Sequence, residues 1–156
     1  LYFELIILQN GSFKKIRFNI FQVGPKLLPM KKIINTSNAP SPVGPYNQSV
    51  LAGNTLYVSG QIAIDPTTGL LVQDSIEAET HQVLKNLGAI LKEAGLGFEH
   101  IVKCSVFVND MNMYSRINAV YSEYFDEQTA PARELVEVSN LPKFVNVEVS
   151  AIAVNE

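Results

Sequence analysis

The sequence predicts an α+β domain in which two helices pack on one face of a mixed β-sheet. Three observations lead there. From residue 30 onward the elements read β-β-β-α-β-α-β-β. A long apolar stripe at helical spacing lies between residues 74 and 95, and residues 145–154 alternate with period two. The 156 residues suit one domain with an appendage.

The appendage is residues 1–29. Asn10-Gly11 between apolar stretches, followed by alternation through Ile16-Arg17-Phe18-Asn19-Ile20, predicts a β-hairpin. Scattered basic residues with one acid also suit an organelle-targeting leader or an expression remnant. Gly24-Pro25 and Pro29 punctuate the chain before Met30-Lys31-Lys32, where the domain 30–156 is expected to begin.

After Ile34, Pro40, Pro42 and Pro45 remove backbone donors and predict an irregular loop. Strands are expected at 49–52 and 56–64, and Asp65-Pro66-Thr67-Thr68-Gly69 is a turn signal. Asp74 with Glu77 has capping-box spacing for a helix whose apolar face holds Val83, Leu84, Leu87, Leu91 and Ala94. Gly95 suits its C-terminus, and Gly88 inside it costs up to about 1 kcal/mol. A strand follows at 101–108. A second helix, capped by Asp110 or Asn112, places Ile117, Val120, Tyr121 and Tyr124 at core spacing. Strands at 132–138 and 145–154 complete the order.

Composition excludes several functions. Apolar residues make up 47% of the chain and charged residues 17%, which is incompatible with disorder. The net charge of −3 divides into +3 over residues 1–29 and −6 over 30–156, so the body offers nucleic acid no basic surface. The one cysteine, Cys104, sits in an apolar run and reads as a small core residue. No metal-ligand spacing, GxGxxG or GxxxxGK[ST] motif occurs, and no run is long enough to span a membrane. No metal and no cofactor is expected.

Two charges interrupt apolar strands. Arg133 opens one strand and Glu148 lies inside the last, between Val147 and Val149. An arginine at a strand mouth can grip a carboxylate through two parallel hydrogen bonds. A partly desolvated carboxylate can exchange protons with water or a leaving amine. The pair suits a small α-keto or α-imino acid. The plain alternative is a structural ion pair, or two charges that merely face solvent.

Several segments, taken in order, go further. They are Ala39-Pro40-Ser41-Pro42-Val43-Gly44-Pro45-Tyr46, Val58-Ser59-Gly60-Gln61-Ile62, Ile101 to Val108, Pro131-Ala132-Arg133, Leu141-Pro142-Lys143 and Val147 to Val154. Over residues 30–156 the chain resembles the RidA (YjgF-type) family of enamine/imine deaminases. The resemblance implies a chorismate-mutase-like fold assembled as a homotrimer, with ligand sites in clefts between subunits. It assigns Arg133 to the substrate carboxylate and Glu148 to the catalytic water. Tyr46 would help close the site, Gly60 would offer a backbone contact, and Asn118 would line the cleft. The implied substrates are small enamine or imine acids such as 2-aminoacrylate, hydrolysed without a cofactor to 2-oxo acids and ammonia. A cytoplasmic setting is expected, or an organellar one if residues 1–29 belong to a leader.

One departure stands out. Where many members carry Ser or Thr and then Cys after the arginine, this chain has Glu134 and Leu135. Strand alternation places Leu135 on the face of Arg133, making the substrate pocket more apolar, and Glu134 on the opposite face. A Glu134 bent toward Arg133 would instead compete with substrate. A non-catalytic trimer that binds small carboxylates or acts as a chaperone-like surface is the alternative function, and RNA cleavage ranks last.

Overall fold

A computed structural model describes residues 2–9, 11–19 and 31–155. The hairpin expected around Asn10-Gly11 is present. Strands β1 (Tyr2–Gln9) and β2 (Ser12–Asn19) pair antiparallel as a two-stranded sheet, with Gln9 opposite Ser12. Gly24-Pro25, Pro29 and the domain start expected at Met30 lie outside the described residues.

The body is a six-stranded sheet in the order β3-β4-β5-β8-β6-β7. Its strands are β3 (Lys32–Ile34), β4 (Ser49–Ala52), β5 (Thr55–Gln61), β6 (Ile101–Val108), β7 (Ala132–Glu137) and β8 (Val147–Val154). All neighbours are antiparallel except β6 and β7, so the sheet is mixed as predicted. The two helices, α1 (Ile76–Glu93) and α2 (Tyr114–Tyr121), pack together, and α1 lies on β5 and β8. The core is the shared layer. Leu56 and Val58 of β5, Val106 of β6 and Val147, Val149 and Ala151 of β8 meet Val83, Leu84, Leu87, Ile90 and Leu91 of α1. Truncating one such residue, Leu87→Ala for instance, removes about 2–5 kcal/mol by loss of apolar burial and cavity formation.

Some expected boundaries move. The α1 N-cap is Ser75, whose hydroxyl accepts from the Ala78 N–H at 3.1 Å, and not Asp74. Glu77, expected in a capping box, instead forms a two-pronged bond to Arg116 of α2 at 2.6 and 2.7 Å. A guanidinium fork is a stronger partner for a carboxylate than one backbone N–H. At the other end Gly95 takes φ +77, while Leu96 N–H bonds the Leu91 carbonyl and Gly95 N–H that of Lys92, a Schellman closure. Gly88 has a packing reason, because a Cβ there would press to 3.0 Å from the Phe98 ring. Asp110 caps, but it caps a short 3₁₀ turn over Met111–Met113 that delays α2 to Tyr114. The strand expected over 56–64 ends at Gln61, and Val145 falls in the turn before β8.

Candidate active site

Odd-numbered residues of β8 are buried against the helices, so Glu148 projects from the other face of the sheet. Beside it β5 carries a bulge. Val58 pairs with Ala151 and Gln61 with Val149, which leaves Ser59-Gly60 opposite Ser150 alone. The bulge brings the Gly60 backbone against the Glu148 carboxyl so closely that any Cβ at position 60 would collide with it. Glycine is required here for approach. A Gly60→Ala chain is therefore expected to fold normally, because the colliding group is the free end of a side chain. Its displaced carboxylate should lower kcat/KM about 100-fold, read by steady-state kinetics beside an unchanged melting curve.

Glu148 faces a cavity of about 440 Å³ also lined by Pro40, Val43, Tyr46, Ser59 and Lys143. Burial pushes its carboxyl above the usual range. Tyr46, 47% exposed, folds back so that its hydroxyl accepts from the Val43 N–H at 3.4 Å. Three buried polar side chains hold the walls. Gln48 donates to the carbonyls of Thr36, Ala39 and Pro40, while Asn86 of α1 donates to those of Ile62 and Ile64. Glu79, wholly buried on α1, accepts from the Asn146 backbone and side-chain N–H groups at 2.6 and 2.7 Å. It thereby anchors the chain two residues before Glu148. The turn just before Asn146 is strained, with Lys143 at φ 54 and Phe144 at φ 57.

Arg133 lies elsewhere. It pairs in register with Cys104, whose side chain is fully buried on the helix face, so Arg133 projects toward α2. Its guanidinium donates to Asn118 Oδ1 at 3.0 Å and, at a longer 3.4 Å, to the Tyr114 hydroxyl. The guanidinium carbon sits 4.6 Å from the centre of the Tyr121 ring. A cavity of about 680 Å³ opens beside it, lined by Asn118, Tyr121, Ser122, Phe125 and Glu127. Cys104 stays in the core, where burial raises its thiol pKa and keeps it from acting as a nucleophile.

Within one chain, then, Glu148, Gly60 and Tyr46 share one cavity, Arg133 and Asn118 share another, and the two open on opposite faces of the sheet. The simple ion pair between Arg133 and Glu148 does not form, and the Glu148 carboxyl takes no hydrogen bond or ion pair among the described residues. Leu135 shares the Arg133 face, as alternation predicts, but packs on the core and lines neither cavity. Glu134 is on the opposite face, held by Lys103 at 2.5 Å and by the Ser105 hydroxyl, which keep its carboxyl below the usual range. It does not compete for Arg133. The residues that sequence reasoning missed are Tyr114 and Tyr121. With Asn118 they stand at i, i+4 and i+7 on one face of α2, where helical spacing marks Tyr121 only as core and gives no sign of Tyr114. Among the described residues no cluster of three or more His, Cys, Asp or Glu could hold a metal, and no helix is long and apolar enough to cross a membrane.

Comparison with known proteins follows this geometry. The family described as Endoribonuclease L-PSP matches residues 36–155. A RutC family protein of Synechocystis is 53% identical over 124 residues, covering 79% of this chain and 95% of that protein. A 2-iminobutanoate/2-iminopropanoate deaminase of Bos taurus is 46% identical over 80% of this chain and 90% of the bovine protein. The crystal structure of E. coli TdcF with bound serine superposes with a TM-score of 0.76 at 42% identity, covering 80% of this chain and 99% of that one. The matched stretch carries both cavities, and on it the chain belongs to the Endoribonuclease L-PSP family, the RidA/YjgF/RutC group of proteins.

Proposed function

We propose that this protein hydrolyses small enamine and imine acids such as 2-aminoacrylate and 2-iminobutanoate, and that it does so as a homotrimer with sites between subunits. The carrying observation is the separation of the two half-sites. A carboxylate anchor on one sheet face and a proton-exchanging carboxylate on the other can meet only when a second copy brings its opposite face alongside. The helix-free sheet face presents Tyr57 and Val136, 50% and 44% exposed, which suits such an assembly. The bovine relative is named for this reaction, and TdcF holds serine, an amino acid of the same size class.

The chemistry needs little machinery. 2-Aminoacrylate tautomerises to 2-iminopropanoate, whose C2 is electrophilic. Arg133 holds the carboxylate through its free N–H groups and so fixes the position of C2. Water adds to C2, forming the C–O bond as the nitrogen takes a proton. Glu148, its pKa raised by burial, orients that water, relays the water's first proton to the nitrogen and then relays the hydroxyl proton of the adduct the same way. The C–N bond breaks, ammonia leaves, and loss of the hydroxyl proton yields pyruvate. A non-catalytic carboxylate-binding trimer would use Arg133 in the same way and leave Glu148 idle.

The test mixes two inactive chains. Arg133→Ala and Glu148→Gln proteins, each unable to accelerate pyruvate release in a coupled dehydratase assay, are unfolded together and refolded. Random trimers carry an intact pair at about a quarter of their sites, so about a quarter of wild-type activity should return. A mixture as inactive as its components would overturn the shared site.

A further inference from the structure

We infer that Tyr121 is a positioning residue whose aromatic face, and not its hydroxyl, sets the plane of the Arg133 guanidinium for carboxylate binding; this rests on the function proposed above. The guanidinium is held from three directions. Asn118 takes one N–H at 3.0 Å, Tyr114 another at 3.4 Å, and the Tyr121 ring lies 4.6 Å from the central carbon. The two hydrogen bonds limit rotation within the guanidinium plane, while only the ring fixes the tilt of that plane. Three N–H groups remain for a ligand.

The platform is itself rigid. Tyr121 is 7% exposed and stacks on Phe125 with centroids 4.4 Å apart and planes at 25°, and Phe125 meets Phe98 edge-on at 5.4 Å. Its hydroxyl is buried against the Cys104 thiol, a weak partner, and meets no oxygen or nitrogen partner among the described residues. A thiol is a weak hydrogen-bond partner, so the hydroxyl contributes little hydrogen-bond energy here. What the residue does supply is an electron-rich face against a cation in a partly desolvated cavity. Holding the long arginine side chain in one orientation before substrate arrives reduces the ordering cost of binding, which places the benefit in substrate affinity.

The experiment uses the full chain and separates ring electronics from packing. Tyr121→Phe removes only the hydroxyl and its weak contact with the Cys104 thiol, and replacement by 3,4,5-trifluorophenylalanine keeps ring shape while draining charge from its face. Phe, which keeps an electron-rich face, is expected to raise KM for 2-iminobutanoate by less than the trifluorinated ring does. The trifluorinated ring should raise KM about tenfold, equivalent to about 1.4 kcal/mol, with kcat nearly unchanged. It should also speed solvent exchange of the Arg133 Nε–H resonance, measured by nitrogen NMR without any turnover. If Phe is as damaging as the trifluorinated ring, the hydroxyl matters and the inference fails. If fluorination moves neither KM nor Nε–H exchange, the ring is packing only and the inference also fails. A wild-type protein that hydrolyses no imine would overturn the proposed function alone, because the exchange measurement still reads the effect of the ring on Arg133.

Discussion

Arg133→Ala is expected to reduce acceleration of 2-iminobutanoate hydrolysis to the uncatalysed rate, a fall in kcat/KM of about 10³. The estimate follows from the site's sparseness. If positioning is the main source of catalysis, removing the group that holds the carboxylate removes most of it. Arg133 is only half-buried and its Asn118 and Tyr114 partners lie beside an open cavity, so the melting temperature should barely move. Arg133→Lys supplies the control. It keeps the charge but loses the fork and the flat face over Tyr121, and should fall between the two. An Arg133→Ala enzyme with undiminished turnover would falsify the assignment.

Glu148→Gln is expected to cut kcat by about 10²–10⁴ while making the protein more stable at neutral pH. The two effects share one cause. Burial raises the carboxyl pKa in the folded chain, whereas the unfolded chain titrates near the ordinary value of about 4.3. Between those two values the folded state binds more protons, so stability falls as pH rises through that window. Above it, ionised Glu148 imposes its full cost; below the unfolded pKa it imposes none. The difference in melting temperature between variant and wild type should therefore be absent in acid and grow toward neutrality. An equal difference at every pH would mean the carboxylate is not desolvated. Retained turnover would leave a site in which Glu148 carries no proton.

Much of the fold is local and therefore legible. The apolar stripe from Val83 to Leu91, the glycine after the helix and the alternation from Val147 onward each depend on residues a few positions apart. Asp74 and Ser75 show where local reasoning fails. Both can cap, and the choice went with Glu77 turning to Arg116, 39 residues away. The walls of the Glu148 cavity were hidden for the same reason. Gln48, Asn86 and Glu79 are polar residues in segments that otherwise read as loop or amphipathic helix, and their partners lie 8 to 67 positions distant. Tyr121 has core spacing, and nothing within α2 announces that a guanidinium will lie on its ring.

By itself the sequence determined the element order, the side of its strand on which each residue falls, and the family. Period two alone separates Leu135 from Glu134, because successive side chains on a strand must point apart. It could not determine which sides coincide across strands. That was decided when β8 inserted between β5 and β6, and when β7 paired in parallel with Cys104 opposite Arg133. Those pairings join residues far apart in the chain, and a shift of one position would reverse every face. Only the assembled sheet turns Arg133 toward α2 and Glu148 away from it.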